Sequence, residues 1–445
     1  MSASVSRVSS APLDGVLPPR YVAGGSRSEV FAHFPSGLIV RAGRGRARTY
    51  PGLRGAAPPT TVFYGIACQL PDVESVLDLG CGSGDGTRRL CARFSSVTGL
   101  DSSAEALVFA REWCPRAHFA QADDTGALDA PLFDAAVVAD LLGHLRDPEG
   151  ALRGVRTRLA PRGRLLVAEP RAIPLQRLAS PARRAHSLRS LEALLARGGF
   201  AVRDWISKRG SFVACIAEPD TSAGATALLS GLDALASGDA AAARSDFASA
   251  TEHGSRAIAC EALLASARAA LALGEGDVAA QALMAAAALD NADARPLAGL
   301  AELSFLTNDL PTALRLGLDA VQLEATEPTA ARVAAFAALA LDHQDAMSAI
   351  RVANNLAPDD FDVARALSEA AACLGDGGPG VAALERVRSY GDDVGAALHV
   401  ELARALFAQG RRADAELEAR LARARHPDDP EVIELWNSLP GRVAH

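Results

Sequence analysis

The chain has 445 residues, 49% of them hydrophobic, and a formal net charge of −8 at pH 7. A length prior of roughly 100–200 residues per domain predicts two or three domains with ordinary buried cores, and no run approaches the ~18 apolar residues of a membrane span. The opening MSASVSRVSSAPLDGVLPPR lacks an apolar secretory core, so a cytoplasmic protein is expected, and seven scattered cysteines without a CxxC pair support neither a disulfide framework nor a zinc site.

Charge divides the chain. Residues 1–219 carry 28 Arg and Lys against 20 Asp and Glu, whereas residues 220–445 carry 17 against 33, which points to two modules. Composition changes at the same place, where AEPDTSAGAT (217–226) gives way to an Ala/Leu-rich sequence of helical period. The expected organisation is a disordered segment over 1–27, an α/β domain over 28–219, a linker over 220–226 and a helical-repeat domain over 227–440.

In chain order, EVFAHFPSGLIVRAG (29–43) reads as a hairpin around Pro35-Ser36-Gly37, and PTTVFYGIACQLP (59–71) as a helix. Between them RAGRGRARTYPGLR (41–54) gathers five arginines. VLDLGCGSGDG (76–86) follows, in which Val76, Leu77 and Leu79 read as a buried parallel strand and Gly80, Gly82 and Gly84 as the turn into a helix, DGTRRLCARF (85–94). Such a turn lets a cofactor approach bare backbone beside a helix N-terminus. The dinucleotide fingerprint GxGxxG fails, because its third glycine falls on Asp85; the spacing is GxGxG, with Asp78 two residues before the first glycine. VTGLD (97–101) is a second strand ending in Asp101, which reads either as an acceptor for both ribose hydroxyls or as a cap for the helix SAEALVFAREW (103–113).

RAHFAQADD (116–124) gives a third strand ending in acids, LFDAAVVADLLGHLRDPEGALRGV (132–155) a fourth strand and helix, and RLAPRGRLLVAEP (158–170) a Pro/Gly turn and fifth strand. A second five-arginine stretch (171–189), a helix (187–199) and two strands (200–207 and 211–218) with a tight connection at Lys208–Gly210 complete the pattern. Five alternating units closed by an antiparallel hairpin predict a Rossmann-like α/β fold, a seven-stranded, mostly parallel sheet with helices on both faces.

On VLDLGCGSG, Asp101, Asp123, FDAAVVADLLGHL, LAPRGRLLVAE and LLARGGF, residues 60–219 resemble the class I S-adenosylmethionine-dependent methyltransferases that act on small molecules. The resemblance implies that Asp78, Gly80, Cys81, Gly82 and Gly84 wrap the methionine and ribose parts of S-adenosyl-L-methionine. Asp101, with Ser102 beside it, would bind the ribose hydroxyls, Asp123 or Asp124 the adenine amino group, and Asp140 and Leu141 the methionine end. Arg162 departs from the glycine usual in the turn before the fifth strand. Methyl transfer needs an aligned nucleophile and, for a hydroxyl acceptor, somewhere for its proton to go. His144 is the candidate base, with His186 and Asp140 as alternatives; the segment has no Asn-Pro-Pro-Tyr or Asp-Pro-Pro-Tyr sequence, which argues against methylation of DNA bases and glutamine side chains. If the two arginine clusters border the substrate mouth, the acceptor is anionic. Nucleic acid is disfavoured, since Tyr50 is the one aromatic residue within the first cluster.

The second half repeats. Small anchor residues at Ala243, Ala279, Ala313, Ala346, Ala382 and Ala415 are spaced 36, 34, 33, 36 and 33 residues apart, close to the 34 of a tetratricopeptide helix–turn–helix. Gly231, Phe247 and Ala250 mark the clearest first copy, and DPEVIELWNSL (429–439) reads as a capping helix. Such arrays bind a protein segment or self-associate. Three functions compete: a methyltransferase for a small or carrier-linked anionic acceptor with the repeats as docking platform, a protein methyltransferase whose repeats recruit the acceptor, and a non-catalytic cofactor-binding scaffold.

Overall fold

The computed structural model describes residues 60–121, 132–145, 147–171, 186–207, 212–389 and 395–438, together with the backbone of four short strands nearer the N-terminus. Those strands, β1 (Arg20–Ala23), β2 (Val30–His33), β3 (Ile39–Gly43) and β4 (Arg46–Tyr50), pair in chain order as an antiparallel sheet. The hairpin expected over 29–43 is β2 with β3. Strand β1 falls within 1–27, where disorder was the expectation, and pairs Tyr21 with Ala32.

The chain forms two compact units. In the first, α1 (Thr60–Ala67) leads to β5 (Ser75–Leu79), α2 (Asp85–Cys91), β6 (Ser96–Asp101), α3 (Ala104–Trp113), β7 (His118–Gln121), β8 (Phe133–Ala139), α4 (Pro148–Arg158) and β9 (Leu159–Pro170). After α5 (Leu188–Arg197) come β10 (Phe200–Ser207) and β11 (Phe212–Pro219). The seven strands stand in the order β10-β11-β9-β8-β5-β6-β7, and β11 runs antiparallel to both its neighbours. This is the seven-stranded, mostly parallel sheet that the alternating pattern predicts. β5 is central in the sheet, between β6 and β8, and Val76, Leu77 and Leu79, which point to alternate faces, are all buried, so the strand is a near-continuous apolar run instead of alternating.

Strand β9 begins earlier than expected. Leu159 already pairs with Phe133, and the register then jumps to Ala135 opposite Arg164. Residues 160–163, read from sequence as a turn, are thus extra residues within one strand, and Arg162 sits there, away from the glycine turn.

The second unit contains residues 220–445 and also residues 189–197, most of α5. Its helices are α6 (Ala223–Ala236), α7 (Ala240–His253), α8 (Arg256–Ala272), α9 (Gly276–Leu289), α10 (Ala294–Leu306), α11 (Leu310–Leu323), α12 (Pro328–Ala340), α13 (Ala346–Leu356), α14 (Phe361–Cys373), α15 (Gly378–Ser389), α16 (Ala396–Ala408), α17 (Arg412–Arg425) and α18 (Pro430–Ser438). Ser222 caps α6 by accepting the Ala225 N–H, so most of the 220–226 stretch is the start of a helix and not a linker.

Each of the six helix pairs turns through one residue with positive φ, namely Gly238, Gly274, Asn308, Asp342, Gly375 or Gly410. In two of these elbows Asp239 and Asp309 follow immediately and cap the second helix. Ala243, Ala279, Ala313 and Ala415 are buried where paired helices cross, as the 34-residue spacing requires. Ala382 is exposed instead. The close approach in that pair falls at Gly380, where a Cβ would come within 2.4 Å of the Ser368 Cα. Ala346 is the first residue of α13, so the crossing there rests on Ile350 and Ala353, both fully buried. Among the described residues no helix is long and apolar enough to cross a membrane.

Candidate active site

The site forms where β5 ends. Gly80, Gly82 and Gly84 have φ of 74°, 53° and 81°, a left-handed path that L side chains rarely take. Gly80 and Cys81 donate their N–H groups to the Leu100 carbonyl at 2.8 and 2.9 Å, which ties the turn to β6. Its outer surface is backbone.

Asp78 does not face outward. It is fully buried, with the Tyr64 hydroxyl donating to one carboxylate oxygen at 2.8 Å and the Thr87 hydroxyl to the other at 2.6 Å. Burial pushes its pKa up to about 6 against the pull of those two hydroxyls. The side chain expected beside the cofactor thus lies inside the fold, where Asp78 braces the turn from behind and joins α1, β5 and α2. Gly86 belongs to this arrangement, because a Cβ there would lie 2.1 Å from the Tyr64 ring. Cys81 is also buried, and burial raises its thiol far above the ordinary range, so it offers the site its backbone.

Asp101, at the end of β6, faces the turn. It accepts the Gly82 N–H at 2.8 Å on one oxygen and the Ser103 N–H at 2.9 Å on the other. Ser103, not Asp101, caps α3, its hydroxyl accepting from Ala106. The capping role thus belongs to Ser103. A carboxylate can accept more donors than these, so acceptor capacity remains beside the glycine turn. Ser102 is exposed, and its carbonyl accepts from the Gln121 amide at 2.9 Å. Asp123 and Asp124 lie outside the described residues, as do much of both arginine clusters and the Lys208–Gly210 connection.

At the end of β8, Asp140 takes φ 55°, an uncommon conformation for a residue with a side chain. Its N–H donates to the Ala168 carbonyl at 2.8 Å, and its buried Oδ1 accepts no hydrogen bond from the described residues. His144 ends the short 3-10 turn Leu142–His144, with Nε2 3.7 Å from that same Oδ1 and the ring about 33% exposed. At this distance the two are neighbours and not hydrogen-bonded. Leu141 lies on the glycine turn, so that a Cβ on Gly80 would meet its Cδ1 at 2.8 Å. His186, the alternative base, is buried where residue 186 bridges Arg171 beyond β9.

Residues 77–165 match a family described as a methyltransferase domain. Among curated relatives, the trans-aconitate 2-methyltransferase of Variovorax paradoxus strain S110 is 35% identical over 146 residues, which is 29% of this chain and 56% of that protein. The enzyme of the same name from Azoarcus sp. strain BH72 is 36% identical over 104 residues, 23% of this chain and 41% of that one. The chain thus spans about half the length of these relatives. Among solved structures, an S-adenosylmethionine-dependent methyltransferase from Clostridium acetobutylicum ATCC 824 is 15% identical and covers 36% of this chain and 90% of that one, with a TM-score of 0.31.

Within the first unit the structure gathers the glycine turn, Asp101, Asp140 and His144 at the same edge of the sheet, the C-terminal ends of β5, β6 and β8. Three participants escaped sequence reasoning. Tyr64 and Thr87 reach Asp78 from other elements and carry no motif. Glu169, at the end of β9, is the third; an acid closing an otherwise apolar strand, LLVAE, is the signal that could have found it.

Proposed function

We propose that the first unit is an S-adenosyl-L-methionine-dependent methyltransferase acting on a small or carrier-linked anionic acceptor, and that the helical pairs of the second are a tetratricopeptide-like docking platform. The observation that carries the reading is Asp101: a carboxylate held by Gly82 and Ser103 N–H groups, with acceptor capacity left over, beside a turn of three glycines in left-handed conformation. The residues present suit the cofactor. Asp101 offers carboxylate acceptor capacity for a ribose diol, the turn offers bare backbone, and the buried Oδ1 of Asp140 and Oγ of Ser83 are polar atoms with no hydrogen bond from the described residues. When bound, the cofactor supplies a sulfonium that activates the methyl group. The chain's part is to hold it, to align the acceptor and, through His144, to take the acceptor's proton while Asp140 offsets the charge gained.

The relatives' names point to a small organic acid, which agrees with an anionic acceptor. Calorimetry with S-adenosylhomocysteine tests the cofactor site: Gly82→Val and Asp101→Ala are each expected to lose at least roughly tenfold in affinity, and wild-type affinity in both would overturn the assignment. Labelled cofactor with fractionated extract then tests the acceptor. Label in metabolites is expected, lowered by roughly 10²-fold or more in His144→Ala, and label in protein would favour recruitment of a polypeptide acceptor by the repeats.

A further inference from the structure

Glu169 has no place in the site as expected from sequence, yet it is fully buried at the end of β9, one residue beyond Ala168, which receives the Asp140 N–H. One carboxylate oxygen accepts the N–H groups of Leu141 and Leu142, both at 2.9 Å, and the other accepts that of Gly143 at 3.3 Å. Three consecutive backbone donors thus converge on one side chain, and the segment they belong to contains Leu141, which rests on Gly80. We propose that Glu169 is a positioning residue of the cofactor site: its carboxylate sets the 141–143 turn, and through Leu141 and Asp140 sets the wall that the glycine turn faces. The proposal rests on the cofactor reading given above.

Chemistry favours this role over a purely structural one. A buried acid used only to fill space gains nothing from ionisation, whereas three N–H donors are best served by an acceptor-only group. Burial pushes the Glu169 pKa up to about 7 in spite of the N–H groups of Leu141 and Leu142, with the field of Asp140 adding to the rise. The charged or titratable groups on adjoining elements are Asp140 at the end of β8, His144 in the 3-10 turn, and Arg171 and His186 at the bridge beyond β9. Protonation puts a hydroxyl on one oxygen and removes acceptor capacity facing the turn. Cofactor affinity is therefore expected to fall with pH below neutrality.

The test is calorimetry of the full-length protein with S-adenosylhomocysteine at about pH 6 and about pH 8, beside amide exchange at residues 141–143 in the free protein. Wild type is expected to bind more tightly at the higher pH. Glu169→Gln, which keeps the shape but turns an NH2 toward one of the donors, is expected to bind roughly ten- to a hundredfold more weakly at about pH 8, to lose the pH dependence and to exchange faster at 141–143, while its melting temperature there is not lowered. Wild-type affinity and pH dependence in Glu169→Gln would overturn the proposal and leave the cofactor reading intact. Failure of the wild type to bind at either pH would overturn both.

Discussion

At the scale of single residues, the site sets two buried acids against the preference of the fold. Asp78, at about 6, and Glu169, at about 7, both sit above their ordinary carboxylate values because burial disfavours the charged form. A raised folded-state pKa means that the folded protein holds a proton the unfolded chain has released. The resulting stability is fully present below about pH 4 and is lost as pH rises toward 6 for Asp78 and 7 for Glu169. Each group contributes a slope of at most about 1.4 kcal/mol per pH unit in that window. Urea unfolding of wild type and Glu169→Gln is expected to show the stability difference moving in favour of the Gln variant as pH rises from about 4.5 to 7, even as cofactor binding worsens. Parallel pH profiles for the two proteins would mean that Glu169 does not titrate in this range.

At the scale of elements, packing follows from how closely backbones may approach. In the first helix pair, Gly231 of α6 faces Phe247 of α7, and a Cβ at 231 would meet the Phe247 ring at 2.6 Å. Phe247 is fully buried among Leu228, Ala243 and Ala250, so the ring has no room to retreat. Gly231→Val is expected to destabilise the second unit by roughly 1–3 kcal/mol through overpacking, read as a lower urea midpoint. Combining it with Phe247→Leu should recover part of the loss by removing the clash; an additive loss in the double variant would show that the two helices do not cross there. The same logic explains the degenerate fourth and fifth pairs. Gly380 does in one what a buried alanine does in the others, and Ile350 with Ala353 serves the remaining one.

At the scale of the whole molecule, the grouping of α5 is the feature that composition could not anticipate. Within the second unit, Glu261 of α8 is buried and accepts from Arg197 of α5 at 2.8 Å and from Arg295 of α10, which also pairs with Asp293. Arg189 of α5 pairs with Asp290. Burial pushes Glu261 up, but Arg295 and Arg197 outweigh it and hold the carboxyl below its usual range. Removing one member of a buried ionic network leaves an uncompensated charge, so Glu261→Ala is expected to cost roughly 3–5 kcal/mol in urea unfolding. A double-mutant cycle with Arg197→Ala is the control, and additive losses would mean that α5 and α8 are not coupled. A fragment ending at residue 221 would leave Glu261 and Asp290 behind, so α5 is where its amide exchange should quicken relative to the full chain.

Local physics made much of this protein readable from sequence. The alternation of apolar strands and amphipathic helices determined the seven-stranded sheet, because strand burial on two faces and crossover handedness leave few other arrangements. The GxGxG turn and Asp101 were legible because close backbone approach requires glycine, and an acid at a strand end is a short-range signal. The 34-residue period was legible because four of the six helix pairs bury an alanine at the corresponding position. What only the tertiary structure decided depends on residues far apart in the chain. Tyr64 and Thr87 donate to Asp78 and hold it inside the fold; Glu169 gathers the N–H groups of a turn 26 to 28 residues before it. Residues 189–197 group with the helical pairs instead of the sheet they follow in sequence. Periodicity reports which face of an element is apolar, and only the folded chain determines which partner covers it.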